Sequence, residues 1–377
     1  MQEREGGAVR EPVKIGIVGC GSVMQGAYMP LVERLAARGL ATVTMACDVD
    51  KAQRDVVRER FGISNLTADY REVVTADEVD LALVVTSMPM HGPITRAALE
   101  AGKHVLVEKP MAVTLPEARD ILALAKRSPG YLVCAPHVIL SNTFQSVWRH
   151  IQNGDIGRPL SARALYGWAG PSWTKWYYEQ GGGALFDLGV YNIVSLTGLL
   201  GPAKRVIAMA GVTIPERTIN GERVRVVADD NAHVLMDFGG GTYAVVSTGF
   251  TMQRYRCPGF EVYGSEGTIQ LIGEDWAPKG YELWRNTVGA WQIFEGTDAG
   301  WVWTDGLRHL VECIHAGTPP LMQPAHAYHA LEIMVKAQES GRDGQAKEIE
   351  STFVPLSFAA ETMSIPAHLR HDLGRDE

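Results

Sequence analysis

Three side chains have types and spacings suited to moving a proton. Asp187 and Tyr191 follow the triple glycine Gly181-Gly182-Gly183 and lie four residues apart. On a helix that spacing puts both on one face, one turn apart. An acid beside a phenol can orient a hydroxyl and take its proton; the same pair can equally be a surface acid and a half-buried tyrosine. Lys109 stands in Glu108-Lys109-Pro110, directly after the apolar run Lys103 to Val107. At the C-terminal edge of an open sheet, a lysine fixed by a proline can reach both a cofactor and a substrate oxygen. In isolation it would be a solvated lysine paired with Glu108. A second constellation is Gly19-Cys20-Gly21, with Asp48 closing the next apolar run. Glycines there let a pyrophosphate approach the backbone, and the following helix start offers it free N–H groups. A carboxylate at Asp48 accepts hydrogen bonds from ribose hydroxyls and repels a 2′-phosphate, which favours NAD over NADP.

These residues need a scaffold, and the pattern around them supplies one. Val13 to Val18 and Ala41 to Cys47 read as buried strands, with a helix from Pro30 to Arg38 between them. The third small position of Gly-x-Gly-x-x-Gly is Met24, so the helix is expected to sit farther from the strand or to be rotated. Helices are expected over Ala52 to Phe61, from Asp69, over Pro93 to Ala101 and over Leu115 to Arg127. Strands are expected over Asp80 to Val85, Lys103 to Val107 and Tyr131 to Ala135. This alternation is a Rossmann-type α/β doubly wound parallel sheet over 13–135. Asn142 to Asn153 reads as a helix. Between Lys204 and Leu271, short strands separated by glycine turns such as Gly239-Gly240-Gly241 make an antiparallel sheet. Helices return at Thr304 to Ala316 and Ala325 to Ser340. The expected division is a leader over 1–12, the nucleotide domain over 13–135, an α+β domain over 136–365 and a frayed tail over 366–377.

With 377 residues the chain is too long for one ordinary core. A net charge of -8 argues against nucleic acid as the main partner. No apolar run is long enough to span a bilayer, and the charged, Gly-rich N-terminus lacks the apolar core of a signal peptide. Five scattered cysteines, with no Cys-x-x-Cys, read as reduced thiols of a cytoplasmic protein. No metal is expected: Asp229-Asp230 reads as a turn cap, and His309, His326 and His329 lack a fitting acidic or thiolate partner. Tyr166 to Tyr178 is dense in Trp and Tyr within a Gly/Pro-containing loop. Such faces stack on sugar rings, or else pin a loop or make an oligomer contact.

Gly19-Cys20-Gly21, Asp48, Ala101 through Pro110 and Gly181 through Tyr191 together resemble the Gfo/Idh/MocA oxidoreductase family. The resemblance covers nearly the whole chain, and the ten residues from Ala101 to Pro110 are its most specific part. It implies a Rossmann domain followed by an α+β domain with an open, mostly antiparallel sheet. It implies a catalytic Lys109, with Lys109-Pro110 in the cis form. It further implies NAD(P)-dependent hydride transfer with a secondary alcohol of a sugar, polyol or related cyclic alcohol, in a homo-dimer or homo-tetramer. The expected cofactor contacts are Gly19, Gly21, Ser22, Val23, Met24 and Asp48 from the first half of the sheet. From the second half they are Thr86, Ser87, His91, Glu108 and Lys109. The expected substrate contacts are Tyr166, Trp168, Trp173, Trp176 and His137. Tyr255 and Arg256 reach the pocket or its rim. Most members carry His where this chain has Tyr191. An unperturbed phenol titrates near about 10, so a tyrosine base needs help, and Lys109 is expected to lower its pKa. Two other readings stay open: a retained-NAD enzyme that cleaves by transient sugar oxidation, and a non-catalytic sensor.

Overall fold

The computed structural model describes residues 11–298 and 300–358. Most of the expected leader (1–10), the stretch 359–365 and the expected tail lie outside the described residues. Six strands form the first sheet: β1 (Val13–Val18), β2 (Ala41–Cys47), β3 (Leu66–Thr67), β4 (Leu81–Val84), β5 (His104–Val107) and β6 (Leu132–Cys134). All pair in parallel, in the order β3-β2-β1-β4-β5-β6. Every residue of β4 is buried, as continuous apolar runs covered on both faces require. The order reverses between β1 and β4, which opens a crevice at their C-terminal ends.

Five helices connect these strands: α1 (Met29–Ala37), α2 (Lys51–Phe61), α3 (Tyr70–Thr75), α4 (Met88–Glu100) and α5 (Leu115–Ala125). Asp50, Asp69 and Thr114 cap α2, α3 and α5 by accepting from backbone N–H groups. The start of α4 differs from expectation. It begins five residues before Pro93, because Pro89 fits the first turn and Pro93 is tolerated inside it. The run Met88-Pro89-Met90-His91-Gly92 holds two helix breakers, which hid the start.

After α6 (Asn142–Gln152) the chain enters the second sheet through β7 (Pro159–Gly167), then returns as α7 (Val190–Leu200). The next strands are β8 (Arg205–Gly211), β9 (Glu216–Ile219), β10 (Glu222–Arg225), β11 (Asn231–Gly239) and β12 (Thr242–Gly249). They are followed by β13 (Phe260–Gly264), β14 (Gly267–Glu274), β15 (Ala277–Arg285) and β16 (Trp291–Glu295). Last come α8 (Gly306–Ala316), α9 (Pro324–Asp343) and β17 (Lys347–Glu348). The nine-stranded order is β16-β15-β14-β13-β7-β12-β11-β8-β17, antiparallel except for β7 beside β12. β9 and β10 pair only with each other. α7 and α9 pack on one face of the large sheet, and the other face is exposed. That asymmetry is written in β11, which alternates buried and outward residues.

The expected boundary at 135 separates the strands but not their cover. α8 packs against β1, β5 and β6 of the first sheet, and His315 Nε2 lies 2.8 Å from the Leu40 carbonyl. Residues far along the chain thus close the first core. The expected cis bond at Lys109-Pro110 is present.

Two helices share an unusual beginning. Both Met24–Tyr28 and Leu185–Gly189 are π-helical turns that lead into α1 and α7. The first resolves the misfit at Met24. Met24 takes the place of the small residue, and the widened turn carries it into the core, fully buried.

Candidate active site

The crevice between β1 and β4 widens into a cleft of about 510 Å³, lined by Gly19, Gly21, Ser22, Val23, Asp48, Thr86 and Ser87 among others. Its glycines are needed for different reasons. Gly19 has φ 101°, and a Cβ there would lie 2.4 Å from the Val85 carbonyl oxygen. At Gly21 a Cβ would meet nothing within 4 Å, so that side of the turn is left open to a ligand. The helix beginning at Ser22 presents N–H groups with no intrahelical acceptor to the same space. Asp48 Oδ2 accepts from Cys20 N–H at 2.8 Å and Oδ1 from Asp50 N–H at 2.9 Å, which fixes the carboxylate at the mouth. These residues fit a dinucleotide: an open anion cradle with an acid at the adenosine end.

Three expected cofactor contacts sit behind the cleft wall instead. Met24 is core. His91 is buried with Nδ1 2.8 Å from the Pro110 carbonyl and Nε2 3.0 Å from that of Thr86. Glu108 is buried, accepting from Tyr28 O–H at 2.6 Å and from Lys109 N–H at 3.1 Å. Both act on the backbone that aims Lys109.

Lys109 leaves the end of β5 and crosses to the second domain. Its Nζ donates to Asp187 Oδ1 at 2.6 Å and to the Asp187 carbonyl at 2.7 Å. Burial works against the ammonium, but Asp187 and Glu108 outweigh it and hold its pKa above the ordinary lysine value. The same Nζ stands 5.3 Å from the Tyr191 ring centre, over its face. The three expected catalytic residues are therefore brought together. The expected help from Lys109 to the phenol is not seen. Burial, then Glu108 and Asp187, push the Tyr191 pKa well above the usual phenol value, while the lysine charge is committed to Asp187.

The segment bearing Asp187 and Tyr191 is held from outside. Ala184 N–H donates to the Asp229 carbonyl at 2.8 Å, and Leu185 N–H to Asp229 Oδ2 at 2.9 Å. Gln338 on α9 donates to Asp229 Oδ1 at 2.7 Å. Asp230 accepts from Thr213 and Ile214 N–H. The two aspartates are thus structural ties. His326 and His329 bond Thr197 and the Ala203 N–H, and among the described residues no three metal-binding side chains converge.

The expected substrate aromatics divide. Trp173 and Trp176 line the nucleotide cleft, and Trp176 stacks on Tyr177 at 3.7 Å. Trp168 packs against Trp173 and Phe250 in a small satellite core. His137 is buried with Nδ1 2.9 Å from the Trp303 carbonyl. Tyr166 alone meets Tyr191, edge to face at 5.8 Å.

A family profile described as an oxidoreductase family with an NAD-binding Rossmann fold matches residues 13–134. A second, the GFO/IDH/MocA C-terminal domain, matches residues 144–270. A dTDP-3,4-didehydro-2,6-dideoxy-alpha-D-glucose 3-reductase of Saccharopolyspora spinosa is 31% identical over 265 residues, 69% of this chain and 75% of that one. The chain belongs to the Gfo/Idh/MocA oxidoreductase family. A 1,5-anhydro-D-fructose reductase of Ensifer adhaerens is 28% identical over 299 residues, covering 77% of this chain and 86% of the relative. Among solved structures, levoglucosan dehydrogenase in complex with NADH and levoglucosan has the same fold. Its TM-score is 0.80 at 21% identity, over 90% of this chain and 100% of that one.

Within this Gfo/Idh/MocA chain, pattern reading missed Tyr177 as a cleft residue, and it missed Trp276 and Glu274, which are joined to Tyr191 through Tyr166. Tyr177 was visible as part of an aromatic run. Trp276 and Glu274 stand at a strand end with no local signal.

Proposed function

We propose that this NAD-dependent oxidoreductase moves a hydride between nicotinamide and a secondary alcohol or ketone of a sugar or polyol, with Lys109, Asp187 and Tyr191 as its proton-handling set. The observation that carries this is the half-buried Lys109, paired with Asp187 and with its ammonium over the Tyr191 ring, beside a dinucleotide cleft. When bound, NAD supplies or accepts the hydride. The cleft residues Gly19, Gly21, Ser22 and Asp48 would hold it, and Asp48 would disfavour a 2′-phosphate. Tyr191, neutral at rest, gives a proton to a carbonyl oxygen in reduction and takes one from a hydroxyl in oxidation. The Lys109 ammonium stabilises negative charge on that oxygen, and Asp187 keeps the ammonium charged and aimed. The relatives' names, reductases of deoxy- and anhydro-sugars, support sugar-type substrates.

The partner proposed is a second copy of the chain. Ile207, Leu235 and Val245 are cross-strand neighbours on the exposed sheet face, with Met209 82% exposed beside them. A flat apolar face of this kind suits a homo-dimer or homo-tetramer. The free cysteines suit the cytoplasm. No helix among the described residues is long and apolar enough to cross a membrane. The test is a panel of sugars and polyols followed by NADH absorbance in both directions, with light scattering for the oligomer. Stoichiometric NADH change supports the proposal; bond cleavage without net NADH supports the retained-cofactor reading.

A further inference from the structure

Tyr191 is joined to an aromatic wall that its own helix does not supply. Tyr166 meets it edge to face, and Trp276 lies nearly parallel to Tyr166 at 6.4 Å and 22°. Beyond them stands Glu274, at the end of β14. Its Oε2 accepts from Trp276 Nε1 at 2.5 Å and its Oε1 from Tyr255 O–H at 2.9 Å. Both donors are neutral, so they orient the carboxylate without cancelling its charge. Among the described residues no cation pairs with it. Lys109, the cation at the catalytic centre, is committed to Asp187.

The wall is tied to the catalytic helix one residue away on each side. Asn192, next to Tyr191, donates to Asp275 Oδ2 at 2.8 Å, and Asp275 is next to Glu274. Glu274 therefore keeps a fixed place relative to Tyr191. Asp187 and Glu108, the acids that act on Tyr191, carry the same sign as Glu274.

We propose that Tyr166 and Trp276 form the platform for the sugar ring, and that Glu274 makes the pocket select neutral or amino sugars against sugar acids. The proposal rests on the oxidoreductase reading and names its substrate class. Flat aromatic faces bind the apolar side of a pyranose ring and tolerate its hydroxyls. A substrate carboxylate brought beside an unpaired, oriented Glu274 meets like-charge repulsion in a partly dry site. That is discrimination by an unfavourable contact with the wrong ligand.

The test compares kcat/KM for the best neutral sugar of the panel, its uronic acid counterpart and its amino counterpart. The proteins are wild type, Glu274→Gln and Tyr255→Phe, each checked for unchanged NADH binding by fluorescence. The wild type is expected to prefer the neutral sugar over the acid by roughly 100-fold, with the amino sugar accepted. Glu274→Gln should narrow that preference to roughly tenfold or less. Tyr255→Phe removes one hydrogen bond but keeps the charge, and should leave the ratio within about twofold of wild type. Equal use of acid and neutral sugar by the wild type overturns the proposal, as does an unchanged ratio in Glu274→Gln. A ratio that moves as much in Tyr255→Phe also overturns it, since geometry rather than charge would then decide. A wild type that binds NADH but turns over no sugar overturns the oxidoreductase reading itself, and this proposal with it.

Discussion

The two functional glycine turns are built alike and used oppositely. Gly19-Cys20-Gly21 runs into the π-turn Met24–Tyr28, and Gly181-Gly182-Gly183 runs into the π-turn Leu185–Gly189. Gly19 and Gly183 both have positive φ, 101° and 111°. The first turn leaves its helix start open, so its N–H groups and macrodipole serve an anion. The second closes its start with Asp229, whose carbonyl and carboxylate take the Ala184 and Leu185 N–H groups. Its helix is then buried on all sides, and what it offers is two side chains instead of a backbone. The lesson is that a glycine-led widened turn specifies a backbone geometry, while the partner of its first N–H groups decides the use.

Lys109→Met should show the largest effect separating the two regions. Turnover is expected to fall by about 10³-fold or more, with NADH affinity changed less than about threefold, because the lysine contacts the second region and not the cleft wall. Steady-state kinetics beside fluorescence titration measures both.

Matched glycine substitutions sharpen the contrast. Gly19→Ala would set a Cβ 2.4 Å from the Val85 oxygen, and Gly183→Ala one 2.6 Å from Asp229 Oδ1. Each should cost about 1–3 kcal/mol in denaturant unfolding. Their functional losses should differ: Gly19→Ala weakens NADH binding roughly tenfold or more, whereas Gly183→Ala lowers kcat with NADH binding retained. Equal losses of NADH binding would erase the distinction.

The smallest effect concerns Asp275, bonded to Asn192 of α7. Burial, offset in part by its bond from Asn192, pushes its carboxyl up to about 6. The folded protein thus holds a proton that the unfolded chain has released. Its stabilising contribution is present at low pH and fades as pH rises through about 6. Asp275→Asn should gain roughly 1–3 kcal/mol relative to wild type at about pH 8 and little at about pH 4. Urea unfolding at both pH values checks this.

How much of this was legible in the sequence follows a physical divide. The parallel sheet was readable because strands buried on both faces are continuous apolar runs, and Asp48 because it ends one of them. Lys109, Asp187 and Tyr191 were readable through local motifs. Trp276, Glu274 and the tie at Asp229 were not, because their meaning comes from sheet register and from contacts far along the chain. Trp173 and Trp176, expected at the sugar, line the nucleotide cleft for the same reason: an aromatic loop shows what it can stack on, not which cleft it folds over. The packing of α8 on the first sheet lay equally beyond any local pattern.

Tyr191 as the proton-transfer group is tested most directly by the pH profile of kcat/KM for oxidation, in the wild type and in Tyr191→His. With the phenol pKa pushed up by burial, Glu108 and Asp187, wild-type oxidation should rise toward alkaline pH without a limb near neutrality. Tyr191→His should move the rising limb down toward the imidazole range, near about 6.5. A wild-type limb already near neutral pH, or identical profiles for the two proteins, would contradict the assignment.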